Sequence, residues 1–304
     1  MHRSGSRRTQ CDPDRWRAHL AAIRPDADPA EADWWDTSWE LATPAAVGFL
    51  VPAGFEAYVR VLHPAHDRER GSVRWATVAE ECGTVLHPQA QWHRLAGRRS
   101  SRDHRPPPTG AGWPGDEPDV GQLDRASFEA LADVLAGHTT TPDRTFVGFW
   151  VGYGTWPDAW TGTPTTDRPV RESYVFERPL AEVATLCAEA PAVALALGTP
   201  TGSAIAWAAD GRSWIPTPDE RFTSSAHLQW QSPSTWWPAD RAWVTSNDTD
   251  LDSTLVGGSR ALVDDLLADD RLEALPWPVD GSLWSDADTV DVQVPGTVAR
   301  PSRD

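Results

Sequence analysis

The longest apolar stretch in this chain, Ala190–Leu197, carries a proline at its second position. A bilayer span needs about 20 consecutive apolar residues, so no segment reads as transmembrane. At 304 residues, with 27 prolines and 22 glycines, the chain reads as short strands and helices joined by turns. Its length suits one large domain or two small ones.

Local periodicity supplies the elements. Val47–Val51 is an apolar run and Pro52-Ala53-Gly54 a turn; Phe55, Ala57, Val59 and Val61 then alternate with Glu56, Tyr58 and Arg60. Period-two alternation beside a Pro/Gly turn predicts a β-hairpin with one half-buried strand. Trp75, Val78, Ala79 and Cys82 recur at helical spacing, with Gly83 just past the end. Leu123–Gly137 reads as a helix capped by Asp124. Strands are expected at Phe146–Tyr153 and Glu172–Phe176. A helix over Leu180–Glu189 should stop at Pro191, with short strands at Val193–Leu197 and Ala204–Ala208. Arg241–Thr245 and Thr254–Val256 read as further strands. Ser259–Asp269 reads as a helix with Leu262, Val263, Leu266 and Leu267 inward and Ser259 as its cap. Strands outnumber helices, so the expected class is α+β, a mostly antiparallel sheet with about four helices. One domain is expected over residues 15–293, interrupted by a mobile Arg/Pro-rich loop over 94–121. Residues 1–14 and 294–304 read as disordered ends.

Composition removes whole mechanisms. All 27 basic residues are arginine, and no lysine occurs. Lysine Schiff-base chemistry, the Walker A loop and the kinase phosphate lysine are therefore excluded. Net charge is −17, and no nucleic-acid partner is expected of so acidic a chain. The acidity is concentrated: residues 1–110 hold 15 arginines against 14 acids, the remainder 12 against 30. Cys11, Cys82 and Cys187 are scattered and form no C-x-x-C pair, which suits a reducing compartment. Arg7-Arg8 is followed by no apolar run, so no leader is read. The expected location is the cytoplasm, with no membrane partner.

Four constellations could carry chemistry. His63, His66, His87 and His93 fall close together, with Glu80, Glu81 and Cys82 between them. Imidazoles with a carboxylate suit zinc or non-haem iron, so a divalent metal is the one cofactor the chain suggests. Asp248, Asp250 and Asp252 stand at alternate positions and could present oxygens to a cation, although Ser253 replaces the turn glycine of a calcium loop. Val256-Gly257-Gly258-Ser259 opens a helix whose amides could hold an anion. The aromatics of 207–243 could line a groove for a sugar, cation or peptide. Its candidate ligand-binding residues are Trp207, Trp214, Trp236, Trp237 and Trp243, with Arg241 able to stack on Trp243.

Three segments, Val47–Pro64 (VGFLVPAGFEAYVRVLHP), His138–Arg144 (HTTTPDR) and Trp236–Gly258 (WWPADRAWVTSNDTDLDSTLVGG), carry a resemblance. They resemble an uncharacterised group of tryptophan-rich, lysine-free proteins of high-GC bacteria, over about residues 34–275. The resemblance implies no activity and no catalytic residues. The leading expectation is a soluble binding or interaction protein with an acidic, tryptophan-rich surface, its partner an unidentified protein or small ligand. A metal-dependent enzyme using the histidines is the first alternative, and a carbohydrate or small-ligand binder using the 207–243 aromatics the second.

Overall fold

A computed structural model describes residues 27–35, 46–97, 112–150, 173–198 and 230–291. The expected disordered ends and the strand at 204–208 lie outside these residues. The described strands are β1 (Ala57–Leu62), β2 (Ala65–Asp67), β3 (Gly71–Val73), β4 (Thr145–Trp150), β5 (Ser173–Arg178), β6 (Thr235–Pro238), β7 (Val244–Ser246), β8 (Ser253–Gly258) and β9 (Ala274–Pro276). The described helices are α1 (Trp75–Cys82), α2 (Trp92–Leu95), α3 (Arg125–Ala136), α4 (Leu180–Gly198) and α5 (Arg260–Ala268). Seven strands share one sheet in the order β5-β4-β6-β7-β8-β1-β9, and β2 pairs with β3 apart from it. The pairings β1–β8, β1–β9, β2–β3, β4–β5 and β4–β6 are antiparallel. The fold is therefore α+β with a mostly antiparallel sheet. Among the described residues, no helix is long and apolar enough to cross a membrane.

The chain divides into two compact units, Met1–Asp36 with Leu135–Val244, and Thr37–Val134 with Thr245–Asp304. In the first, β4 lies between β5 and β6, with Phe146 opposite both Glu177 and Trp237. Phe146 stacks on Trp237 at 5.5 Å, Trp236 meets Trp243 edge-on at 5.0 Å, and the Trp243 indole donates to the Leu135 carbonyl. Val183, Leu186, Cys187 and Ala190 form the buried stripe of α4. The expected stop at Pro191 and the strand at Val193–Leu197 are both overturned, because α4 runs through the proline to Gly198.

The second unit is built on β1, which pairs with β8 on one side and β9 on the other. The expected hairpin does not form. Val47 and Val51 share only an isolated bridge, and β1 finds its partners some 200 residues downstream. The Tyr58 hydroxyl donates to the Pro52 carbonyl and accepts the Phe55 amide, tying the turn segment to the strand. The half-buried strand is corrected too: all six residues of β1 are buried, Arg60 included.

Local signals place the helices of this unit well. The α1 stripe buries Trp75, Val78 and Ala79, and Gly83 ends the helix in the left-handed region at φ 69°. Asp124 accepts the amides of Ala126 and Ser127 at the start of α3, and Ser259 accepts that of Leu262 in α5. Leu267 departs from the expected inner face of α5 and is exposed. The N-terminus of α1 has no cap of its own. Glu273, brought in beside β9, accepts the Trp75 and Ala76 amides at 2.6 and 2.8 Å. Leu95, Ala96 and Trp113, within the span expected as a mobile loop, are buried in one cluster with Trp75 and Trp92. Residues 98–111 of that span lie outside the described residues.

Candidate functional site

Arg60 sits in the middle of a strand paired on both sides and is 1% exposed. A charge in such a place must be hydrogen-bonded. Its Nε donates to Ser253 Oγ at 2.9 Å, Nη1 to the carbonyls of Pro88 and Ala90, and Nη2 to Asp252 Oδ1 at 3.1 Å. The guanidinium lies 5.3 Å from the Trp75 ring centroid and 5.7 Å from that of Trp277. Burial pulls the guanidinium below its usual value, and the Asp252 carboxylate pulls it partly back.

Asp252 reaches Arg60 because of the loop before β8. Asp248 Oδ1 accepts the Asp250 amide and the Asp248 carbonyl accepts that of Leu251, a turn that delivers the chain to Ser253. Asp248, Asp250 and Asp252 all line a cavity of about 380 Å³ within the second unit. Its buried end is formed by Arg60, Gln91 and Trp92. Glu117, Asp250 and Trp284, all exposed, stand at its open end, and Phe49, Leu50 and Leu283 supply apolar wall. Gln91 is 8% exposed, and its Nε2 is buried without a hydrogen-bond partner.

The four histidines do not assemble into one ligand set among the described residues. His63 is fully buried at the end of β1, with Nδ1 2.7 Å from the Asp119 carbonyl and Nε2 3.0 Å from Thr254 Oγ1. Burial pushes its pKa down, and with both nitrogens engaged it serves as a neutral structural imidazole. His66 lies 3.9 Å from Asp119 Oδ2, and His93 lines the cavity. His87 instead joins Asp288 and Asp291, with ligand atoms within 4.8 Å of one another. Asp288 Oδ1 accepts from His87 Nε2 and from the amides of Val290 and Asp291, and Oδ2 from the Gln91 amide. Burial alone would raise that carboxyl, but these hydrogen bonds outweigh it and hold it below the usual carboxylate range.

The helix start at Gly257-Gly258-Ser259 already holds an anion, since Glu56 Oε2 accepts the Arg260 amide at 2.9 Å. Gly257 serves packing there: a Cβ would lie 2.8 Å from Phe55 Cδ2. Trp236, Trp237 and Trp243 are buried in the first unit, while Trp207 and Trp214 lie outside the described residues. Arg241 stacks at 5.2 Å on Trp34, not on Trp243. Among the described tryptophans, Trp284 is the exposed one.

Sequence reasoning missed Arg60, Gln91, Glu117 and Trp284. Arg60 carried a signal, a charge between Val59 and Val61 in an otherwise apolar strand, but alternation assigned it to solvent. No local signal marks the other three. No protein-family model, curated protein or solved structure matches this chain.

Proposed function

We propose that the chain is a non-catalytic cytoplasmic binding protein that takes a small organic cation into the cavity beside Arg60. The observation that carries this is the charge of the cavity wall. Asp252 is engaged by Arg60, and Glu117, Asp248 and Asp250 line the same space, where Arg60 is the one arginine among the described lining residues. A ligand bearing ammonium or guanidinium groups would meet several carboxylates in that wall. Phe49, Leu50 and Leu283 cover a hydrocarbon stem, and Trp284 at the mouth offers a ring face to a cation. The volume falls within the ~300–1,000 Å³ usual for small-ligand sites.

The test is calorimetric titration at low salt with cadaverine, agmatine and the uncharged 1,5-pentanediol. Both amines should bind and the diol should not. Asp248→Asn and Asp250→Asn should each weaken amine binding about threefold, and added salt should weaken it further. Equal binding of the diol, or silence from both amines, would sink the proposal.

A metal-dependent activity is the second reading, and the His87–Asp288–Asp291 proximity favours it. It is the weaker one, because a metal ion would have to displace hydrogen bonds that Asp288 already accepts.

A further inference from the structure

One stretch of the cavity lining is a segment fastened at its two ends. Leu283, Trp284 and Ser285 line the cavity, and residues 284–286 are exposed in succession. Among the described residues, the hydrogen bonds of residues 284–287 close within the segment itself. The Trp284 amide donates to Ser282 Oγ, and the Ala287 amide to the Trp284 carbonyl.

The two ends are held by different forces. At the first, the Gly281 carbonyl accepts the Ala46 amide, and the Ser282 amide donates to Gln89 Oε1 at 2.9 Å. Gly281 also packs so tightly on Trp277 that a Cβ would lie 2.8 Å from the indole. Water cannot replace such packing. At the second end Asp288 is 0% exposed. Its carboxylate accepts from the Val290 and Asp291 amides within its own turn. It also accepts from His87 Nε2 and the Gln91 amide across the cavity lining, and its carbonyl accepts from Arg94. These crossing contacts are hydrogen bonds, which water replaces at small net cost. Gln91, Trp92 and His93 line the cavity too, so Asp288 joins two stretches of its lining, 283–285 and 91–93.

We propose that residues 283–287 form a lid on the cavity, hinged at Gly281 and Ser282 and latched at Asp288, and that the cavity opens when the latch lets go. Leu283 shares the lining with Phe49 and Leu50, and wetting of that apolar surface favours return to the closed position. The lid governs access whatever ligand the cavity takes, so its test uses no ligand and stands apart from the organic-cation reading.

His93 lines the cavity half-buried, and His63 is fully buried in the same unit. Carbethoxylation of the full chain by diethyl pyrocarbonate, read by peptide mass spectrometry, therefore follows lid and fold separately. Asp288→Ala should speed modification of His93 about fivefold, the size of one ordinary hydrogen bond lost from the latch, and leave His63 protected. Asp288→Asn keeps an oxygen for the three amides and should speed it about twofold, since a neutral acceptor holds less firmly than a carboxylate. If the alanine variant does not fold, the asparagine variant decides.

An unchanged His93 rate in the folded variants would overturn the lid. Joint reaction of His93 and His63 in the asparagine variant would overturn it as well, because Asp288 would then hold the whole unit together rather than one segment of it.

Discussion

The backbone amide of Gln231 donates to the Cys187 carbonyl at 3.0 Å, and that carbonyl is the one Pro191 leaves without its intrahelical partner. In an α-helix the N–H of residue 191 would bond the carbonyl of residue 187, and proline has no N–H. A buried acceptor must be satisfied from somewhere. Here a segment 44 positions downstream supplies the donor, and α4 continues where local chemistry alone would end it.

Replacing Pro191 by alanine should therefore gain little. A proline in a helix interior ordinarily costs ~3 kcal/mol, part of it for the lost hydrogen bond. With that bond replaced, Pro191→Ala should shift stability by less than about 1 kcal/mol in urea denaturation. The Gln231 amide should also be among the slowly exchanging protons of its unit, and rapid hydrogen exchange there would contradict the assignment.

Asp252→Ala should be among the most damaging substitutions in the second unit. It strands the Arg60 guanidinium, 1% exposed, without its carboxylate. Breaking a buried pair from one side costs ~3–5 kcal/mol. Asp252→Asn keeps an acceptor oxygen and should cost roughly half as much. Equal, sub-kilocalorie losses for both variants would show that the charge is solvated after all.

Two carboxyls should drive stability in opposite directions with pH. The Asp288 pKa is lowered in the fold, so its contribution is present above the ordinary value near 3.8 and is lost as pH falls through the depressed value. The cost of Asp288→Asn should thus shrink between pH 5 and pH 2. Burial raises Glu273, against the pull of the Trp75 and Ala76 amides and of Arg74. Its contribution is fullest below the ordinary value near 4.5 and declines as pH rises through the raised value. The cost of Glu273→Gln should then be greater at pH 4 than at pH 7. Denaturation midpoints of the two variants across this range decide both signs.

The His87–Asp288–Asp291 group is expected to act as a clasp. Arg94 adds a hydrogen bond to the Asp288 carbonyl, and Asp291 accepts the Val85 amide. The group thereby ties the segment after residue 285 to the loop before α2. Untagged protein should carry far less than one equivalent of zinc, iron or manganese by mass spectrometry, and zinc should not raise its melting temperature. Stoichiometric metal lost in His87→Ala would reverse this assignment and revive the metal-dependent reading.

The helical elements were legible because their signals are local. The Trp75–Cys82 stripe, the Asp124 and Ser259 caps and Gly83 lie within a turn or two of what they control. The Val47–Leu62 hairpin was misread because alternation reports which faces differ, not which strand lies alongside. A strand with β8 and β9 on its flanks and indoles over its arginine buries both faces. For the candidate site, Asp248, Asp250 and Asp252 were visible as a motif, and His93 as a histidine. Their arrangement around a cavity was not visible, since residues 46–50, 60, 91–93, 117–120, 248–252 and 283–285 contribute from separate segments.

The sequence by itself determined the class of fold, the helices α1, α3 and α5 with their stops or caps, and a chemistry without lysine. These follow from spacing and composition, which act over a few residues or over none. The tertiary structure decided that Arg60 is buried, that α4 outlasts Pro191, that Glu273 caps α1 and where the cavity opens. The first three of these depend on a desolvated polar group finding its partner. Such partners stand as far as 198 positions away, and packing alone brings them within hydrogen-bonding distance.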